Sequence, residues 1–161
     1  LKLIFLSLYL TKFFKMNPSI ALMSQFIDIP VESPSPAGNW LGGILKVVKE
    51  GYIEVELKVK KEHTNPIGTL HGGVAALIID EFVGACAFTL NNKELHVSQN
   101  LYVDYFKPAR EGDILKVKAK VIRKGSKIIN VECSIYNQEN LLLTKGLGNL
   151  INTGKPNPFY N

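Results

Sequence analysis

The run Asn65-Pro-Ile-Gly-Thr-Leu-His71-Gly72-Gly73, leading directly into Val-Ala-Ala-Leu-Ile-Ile-Asp80-Glu81-Phe-Val-Gly84, holds the residues of this chain best suited to chemistry. A glycine-bearing polar turn that feeds an apolar helix presents unpaired backbone N–H groups and a positive dipole end, where an oxygen anion can sit. Asn65 adds a side-chain amide donor just upstream. Asp80 then places a carboxylate inside an apolar stretch, where a charge is costly unless it has a partner or a task. Each signal also has a plain structural reading: His71 as a helix-start residue satisfied by backbone, Gly72-Gly73 as a tight turn, Asp80 as a helix acid paired with a lysine. Glu81 is the rival carboxylate, and the residues alone do not separate the two.

Helix rise adds a constraint. Gly72 and Asp80 lie eight positions apart, which at 1.5 Å per residue is about 12 Å along one helix, too far to act on one atom. If the helix start stabilises an oxyanion and Asp80 acts on the same carbonyl, the two come from different subunits and the site lies at a two-fold interface. Otherwise they serve different parts of a ligand within one chain.

The elements that must position these groups follow from periodicity. Alternating stretches Trp40 to Lys49 and Tyr52 to Lys61 flank Glu50-Gly51, a hairpin signal. From Gly72 to about Leu90 the apolar residues run almost without a break, so length predicts a buried helix of four to five turns; Gly84 within it suggests close packing. Four strand-like runs follow: Leu95 to Phe106, Ile114 to Arg123, Ile128 to Tyr136 and Leu141 to Ile151. Lys116, Lys118 and Lys120 alternate with Val117, Ala119 and Val121, as in an antiparallel strand with one wet face. One helix cannot cover two sheets. The economical architecture is therefore α+β: one curved antiparallel sheet of about six strands wrapped around a long central helix.

Ahead of this, residues 1–15 form an apolar N-terminal extension around Leu3 to Leu10. The run is shorter than the ~20 residues of a membrane span and lacks a small-x-small cleavage site, so an extension ahead of Met16 is favoured over an export signal. Residues 16–39 are expected to hold a short helix over Asn17 to Ile29 and a proline-rich extended lead-in, residues 40–152 the main domain, and 153–161 a tail. The balance of 19 basic to 14 acidic residues gives +5, which favours an anionic partner without singling out nucleic acid. Cys86 and Cys133 lie apart in apolar contexts and read as reduced packing residues in a cytoplasmic, reducing compartment.

Asn65-x-x-Gly-x-x-His71-Gly72-Gly73 with Asp80 resembles the hotdog-fold acyl-CoA thioesterases of the phenylacetate-pathway and acyl-CoA thioesterase 13 type. The likeness covers about residues 40–152 and extends to Val97-Ser98 and to Pro108-Ala109-Arg110-x-Gly112-Asp113. The resemblance implies hydrolysis of an acyl-CoA to free acid and coenzyme A in a homodimer with shared sites, associated further into a homotetramer. Gly72 would donate its N–H to the thioester oxygen, with Asn65 and His71 shaping that pocket. Asp80 of the neighbouring subunit would be base or nucleophile, in preference to Glu81, and Ser98 would help place the attacking water. Such assignments are physically reasonable, because preorganised N–H donors stabilise the oxyanion and a carboxylate in apolar surroundings is a stronger base than one in water.

By itself Ser98 reads as an ordinary strand serine, and His96 and Asn100 share its face if the strand is regular. Lys107, Arg110, Arg123, Lys124 and Lys127 lie near turns, as solvated charges or as partners for coenzyme A phosphates. No cofactor beyond the substrate's own coenzyme A, no metal, no nucleic acid and no membrane is expected. The chain lacks a Gly-x-Ser-x-Gly elbow, a His-Glu-x-x-His pair, a Walker-type loop and a dinucleotide fingerprint. Two rivals remain: a non-catalytic acyl-CoA binding or sensing module of the same fold, and a hotdog dehydratase using His71 with Asp80. Acyl preference depends on how Phe82, Phe88, Leu101 and Tyr102 pack.

Overall fold

The computed structural model describes residues 17–30 and 33–160; the expected extension over 1–15 and the start at Met16 lie outside them. Two short helices lead in. α1 (Pro18–Ser24) is capped by Asn17, whose side chain accepts from the Ser19 and Ile20 N–H groups. α2 (Pro36–Leu41) is capped by Ser35, with Pro36 at its first position. The extended lead-in expected here therefore gives way to a helical turn in its last part. Behind a serine cap, the fixed φ and missing N–H of proline suit the first helical position.

The strands are β1 (Ile44–Lys49), β2 (Tyr52–Lys58), β3 (Glu94–Tyr105), β4 (Ile114–Lys124), β5 (Ile128–Tyr136) and β6 (Leu142–Pro156), and the long helix is α3 (Gly72–Phe88). They form one six-stranded sheet in the order β1-β2-β4-β5-β6-β3, antiparallel at every pair. α3 lies across the inner face. Leu115, Val117 and Ala119 of β4 point inward and are fully buried, while Lys116 and Lys118 face Glu56 and Glu54 of β2 on the outer face. The expected alternation on this strand is what the sheet uses.

α3 buries Ile78, Ile79, Val83 and Cys86 completely. It can lie this close because β6 carries Gly146 and Gly148 beneath it. A Cβ on Gly146 would stand 2.8 Å from Ile79 Cγ2, and one on Gly148 2.6 Å from Val83 Cγ1. Four residues along the helix thus match two along the strand, so both glycines act sterically. Cys86 and Cys133 are both buried and free. Burial pushes the Cys86 thiol up to about 12 and that of Cys133 up as well, which keeps both as thiols that pack and do not react.

Candidate active site

The loop before α3 is built by Asn65. Its Oδ1 accepts from the Ile67 and Thr69 N–H groups, both at 3.1 Å, and its Nδ2 donates to Thr69 Oγ1 at 2.8 Å. This is the Asx geometry of a tight turn. Gly68 adopts φ +77 within it, a left-handed conformation that favours glycine. The loop is then stitched to the fold by Leu70 N–H donating to Ala109 O and His71 N–H donating to His63 O. Asn65 thus shapes the approach to the helix, and its amide donor is engaged by Thr69.

His71 is the N-cap of α3, its Nδ1 accepting from the Gly73 N–H at 2.9 Å. The backbone-satisfied role therefore describes the Nδ1 edge of the ring; when neutral, it carries its proton on Nε2. Val74 and Ala75 donate to His71 O. Among the described residues, no acceptor takes the Gly72 N–H, so that donor stands at the positive end of a 17-residue helix. Tyr105 holds the same residue from the other side, donating from its hydroxyl to Gly72 O at 3.0 Å. Its place at the end of β3, beside the Phe106-Lys107-Pro108-Ala109 turn, was the signal that could have found it.

Behind the loop lies a residue the sequence reading passed over. His63 is fully buried against Trp40, ring centroids 4.7 Å apart in an edge-on arrangement. Its Nδ1 accepts from the Lys60 N–H at 3.2 Å, and its Nε2 has no hydrogen-bond partner among the described residues. Burial first, then the positive charge of Lys60, holds its pKa below the ordinary histidine value. Since His63 O anchors His71, this ring supports the helix start.

Asp80 stands two turns further along α3, half-buried. Ser98 Oγ donates to Asp80 Oδ1 at 2.6 Å, so these two predicted residues meet. Glu81 is differently occupied: it accepts from Ser35 Oγ at 2.8 Å, and Gly38 leaves room for its carboxylate, since a Cβ there would be 2.5 Å from Oε1. Glu81 therefore clamps α2 to α3.

The expectation that His96, Ser98 and Asn100 share a face fails at a bulge. Ser98 pairs with Leu150 but Asn100 with Asn149, so Gln99 is an extra residue and the strand turns over between them. Ser98 faces the helix, whereas Asn100 joins an outer row in which Asn149 donates to Asn100 and Asn130 donates to Asn149. The bulge is what aims the Ser98 hydroxyl at Asp80.

Cavities flank α3 at its start and along its length. A pocket of about 280 Å³ lies at its start, lined by Leu70, Ala75, Tyr105 and Pro108 among others; a groove of about 1210 Å³ runs along its middle and end, with Asp80 and Ser98 in its wall. Gly84 also lines this groove, and beyond its own helix backbone nothing lies within 4 Å of a Cβ placed on it; the close packing expected there is absent among the described residues. The basic residues divide likewise. Lys107 and Arg110 follow the strand end that holds Gly72, whereas Arg123, Lys124 and Lys127 belong to the β4–β5 hairpin at the Ser98 end of the sheet. Among the described residues, no group of three or more His, Cys, Asp or Glu side chains is arranged to hold a metal ion, and no helix is long and apolar enough to cross a membrane.

A six-stranded antiparallel sheet wrapped around one central helix defines a hotdog protein. The chain belongs to the thioesterase superfamily, whose profile matches residues 67–144. Acyl-coenzyme A thioesterase 13 of Homo sapiens is 30% identical over 137 residues, covering 79% of this chain and 98% of that protein. Among solved structures, the E. coli PaaI protein from the phenylacetic acid degradation operon superposes with a TM-score of 0.71 at 20% identity, over 76% of this chain and 88% of that one. The hypothetical thioesterase of Streptococcus pneumoniae, determined with coenzyme A, gives 0.67 at 22% identity, over 72% and 89%.

Proposed function

We propose that this protein hydrolyses an acyl-CoA thioester to a free carboxylic acid and coenzyme A. The observation that carries this reading is the Ser98–Asp80 hydrogen bond of 2.6 Å inside a large groove. A carboxylate held by a hydroxyl in a cavity can take a proton from water, or attack a carbonyl itself; the Gly72 N–H is the donor for the oxyanion that either route creates.

Within one chain these halves lie apart, and strand β3 suggests how they meet. β3 is an edge strand of twelve residues, with Val97 and Tyr102 exposed; such an edge invites pairing. It carries Ser98, which touches Asp80, and Tyr105, which touches Gly72. Antiparallel pairing of β3 with its two-fold mate reverses this order, so the Asp80 end of one chain falls beside the Gly72 end of the other. The same reversal brings Lys107 and Arg110 to the end of the assembly that holds the partner's β4–β5 hairpin, a basic setting for coenzyme A phosphates. Buried free thiols at Cys86 and Cys133 fit a cytoplasmic, reducing setting.

The test is thiol release from benzoyl-, phenylacetyl-, short- and long-chain acyl-CoAs by the wild type and by Asp80→Asn. Loss of a general base is expected to lower kcat by roughly 100- to 10,000-fold. Full activity in Asp80→Asn removes Asp80 from the mechanism, while tight binding without turnover across the panel marks the protein as an acyl-CoA binding module.

A further inference from the structure

Glycine is the least favourable ordinary residue in a helix interior, so its presence there asks for a reason. The strand glycines Gly146 and Gly148 have theirs in the helix packed on them. Gly84 has none among the described residues: it sits inside α3, and a Cβ on it would meet nothing within 4 Å beyond the backbone of its own helix. Its position supplies the clue. It stands four residues after Asp80, hence one turn along the same helix face, and it lines the groove that also holds Asp80 and Ser98.

That groove changes character along the helix. Asp80 and Ser98 give it a polar part, and Met23, Phe26, Phe88 and Phe159 give it apolar walls, with Asn92 and Asn157 beside them; Phe88, one turn after Gly84, packs edge to face on Phe159 at 6.3 Å between centroids. Its volume of about 1210 Å³ exceeds the ~300–1,000 Å³ common for small-molecule sites. A thioester carbonyl at Asp80 leaves two directions for the rest of the substrate. The charged coenzyme A suits the basic, open ends of the sheet, and an apolar group suits the aromatic wall.

We infer that Gly84 is a specificity-determining residue, its missing side chain opening the passage by which the acyl group runs from the carbonyl at Asp80 along α3 toward Phe26 and Phe88. The occupant of the space beside it is the acyl chain. This rests on the thioesterase reading, and the experiment separates the two.

Gly84→Leu and Gly84→Ala are compared with wild type in two assays. One is kcat/KM over an acyl-CoA series from acetyl to hexadecanoyl; the other is calorimetric binding of matching S-alkyl-CoA thioethers, which cannot be hydrolysed. In Gly84→Leu the ratio of hexadecanoyl to acetyl kcat/KM is expected to fall at least tenfold, and the preference for long thioethers by a similar factor, in line with ~10- to 200-fold discrimination per methylene-sized change in a pocket. Gly84→Ala, the milder change, should move both ratios the same way by a few fold. An unchanged ratio, or an equal loss at every chain length, overturns the assignment. Dissociation of the native oligomer by Gly84→Ala also overturns it, because the space would then belong to a subunit contact. If the wild type hydrolyses nothing, the thioesterase reading fails, yet the thioether affinities still decide the role of Gly84.

Discussion

In the proposed mechanism Ser98 positions Asp80: its hydroxyl donates to Asp80 Oδ1 at 2.6 Å, and Asp80 is otherwise only half-buried. Removing a hydrogen bond to a charged group costs about 1.5–3 kcal/mol, so Ser98→Ala should lower kcat by roughly 10- to 100-fold. KM should change little, since the substrate loses no contact; steady-state kinetics on one good acyl-CoA measures both. A KM effect without a kcat effect would make Ser98 a binding residue. Asp80 and the Gly72 start could be picked out in the sequence because glycine before an apolar run, and a carboxylate within one, are locally unusual. The bulge that turns Ser98 inward was not legible, because it depends on how β3 registers against β6 and leaves no period in β3 itself.

At the scale of elements, the 3-10 turn over Lys61–His63 anchors the start of α3, since His63 O accepts from the His71 N–H. His63 is buried there with a lowered pKa, whereas the unfolded chain takes up its proton near pH 6.5. The sign is that of a group easier to protonate when unfolded. Its contribution is fully present above about pH 6.5 and is lost as pH falls through the lower folded value. Urea midpoints measured at pH 7.5, 6.5 and 5.5 should therefore drop on acidification, and less so in His63→Phe; equal pH dependence in both proteins removes His63 as the cause. Most of the strands and α3 were visible from periodicity, which sheet and helix impose on every residue; the alternating stretch from Trp40 is strand only from Ile44, because Trp40 and Leu41 end α2. α2 and this turn were not, because one turn of helix is specified by a cap and a proline alone, as at Ser35-Pro36.

For the whole molecule, the separation of Gly72 from Asp80 argues for a site built by two chains. Mixing Asp80→Asn with Gly72→Pro subunits tests it, because one of the two sites in a hybrid dimer regains both intact halves. With random exchange half the dimers are hybrids, so activity should recover to about a quarter of wild type. No recovery after subunit exchange, shown by mass spectrometry, would place each site within a single chain. The spatial sequence of strands carries a further consequence, one of timing. β3 precedes β4, β5 and β6 along the chain, yet among the described strands it pairs with β6 alone, Ser98 lying opposite Leu150. During synthesis, Asp80 and Ser98 both emerge long before the strand that holds β3 in place. Contacts so distant along a chain form slowly, so the two residues proposed to act on the substrate are expected to be joined among the last steps of folding.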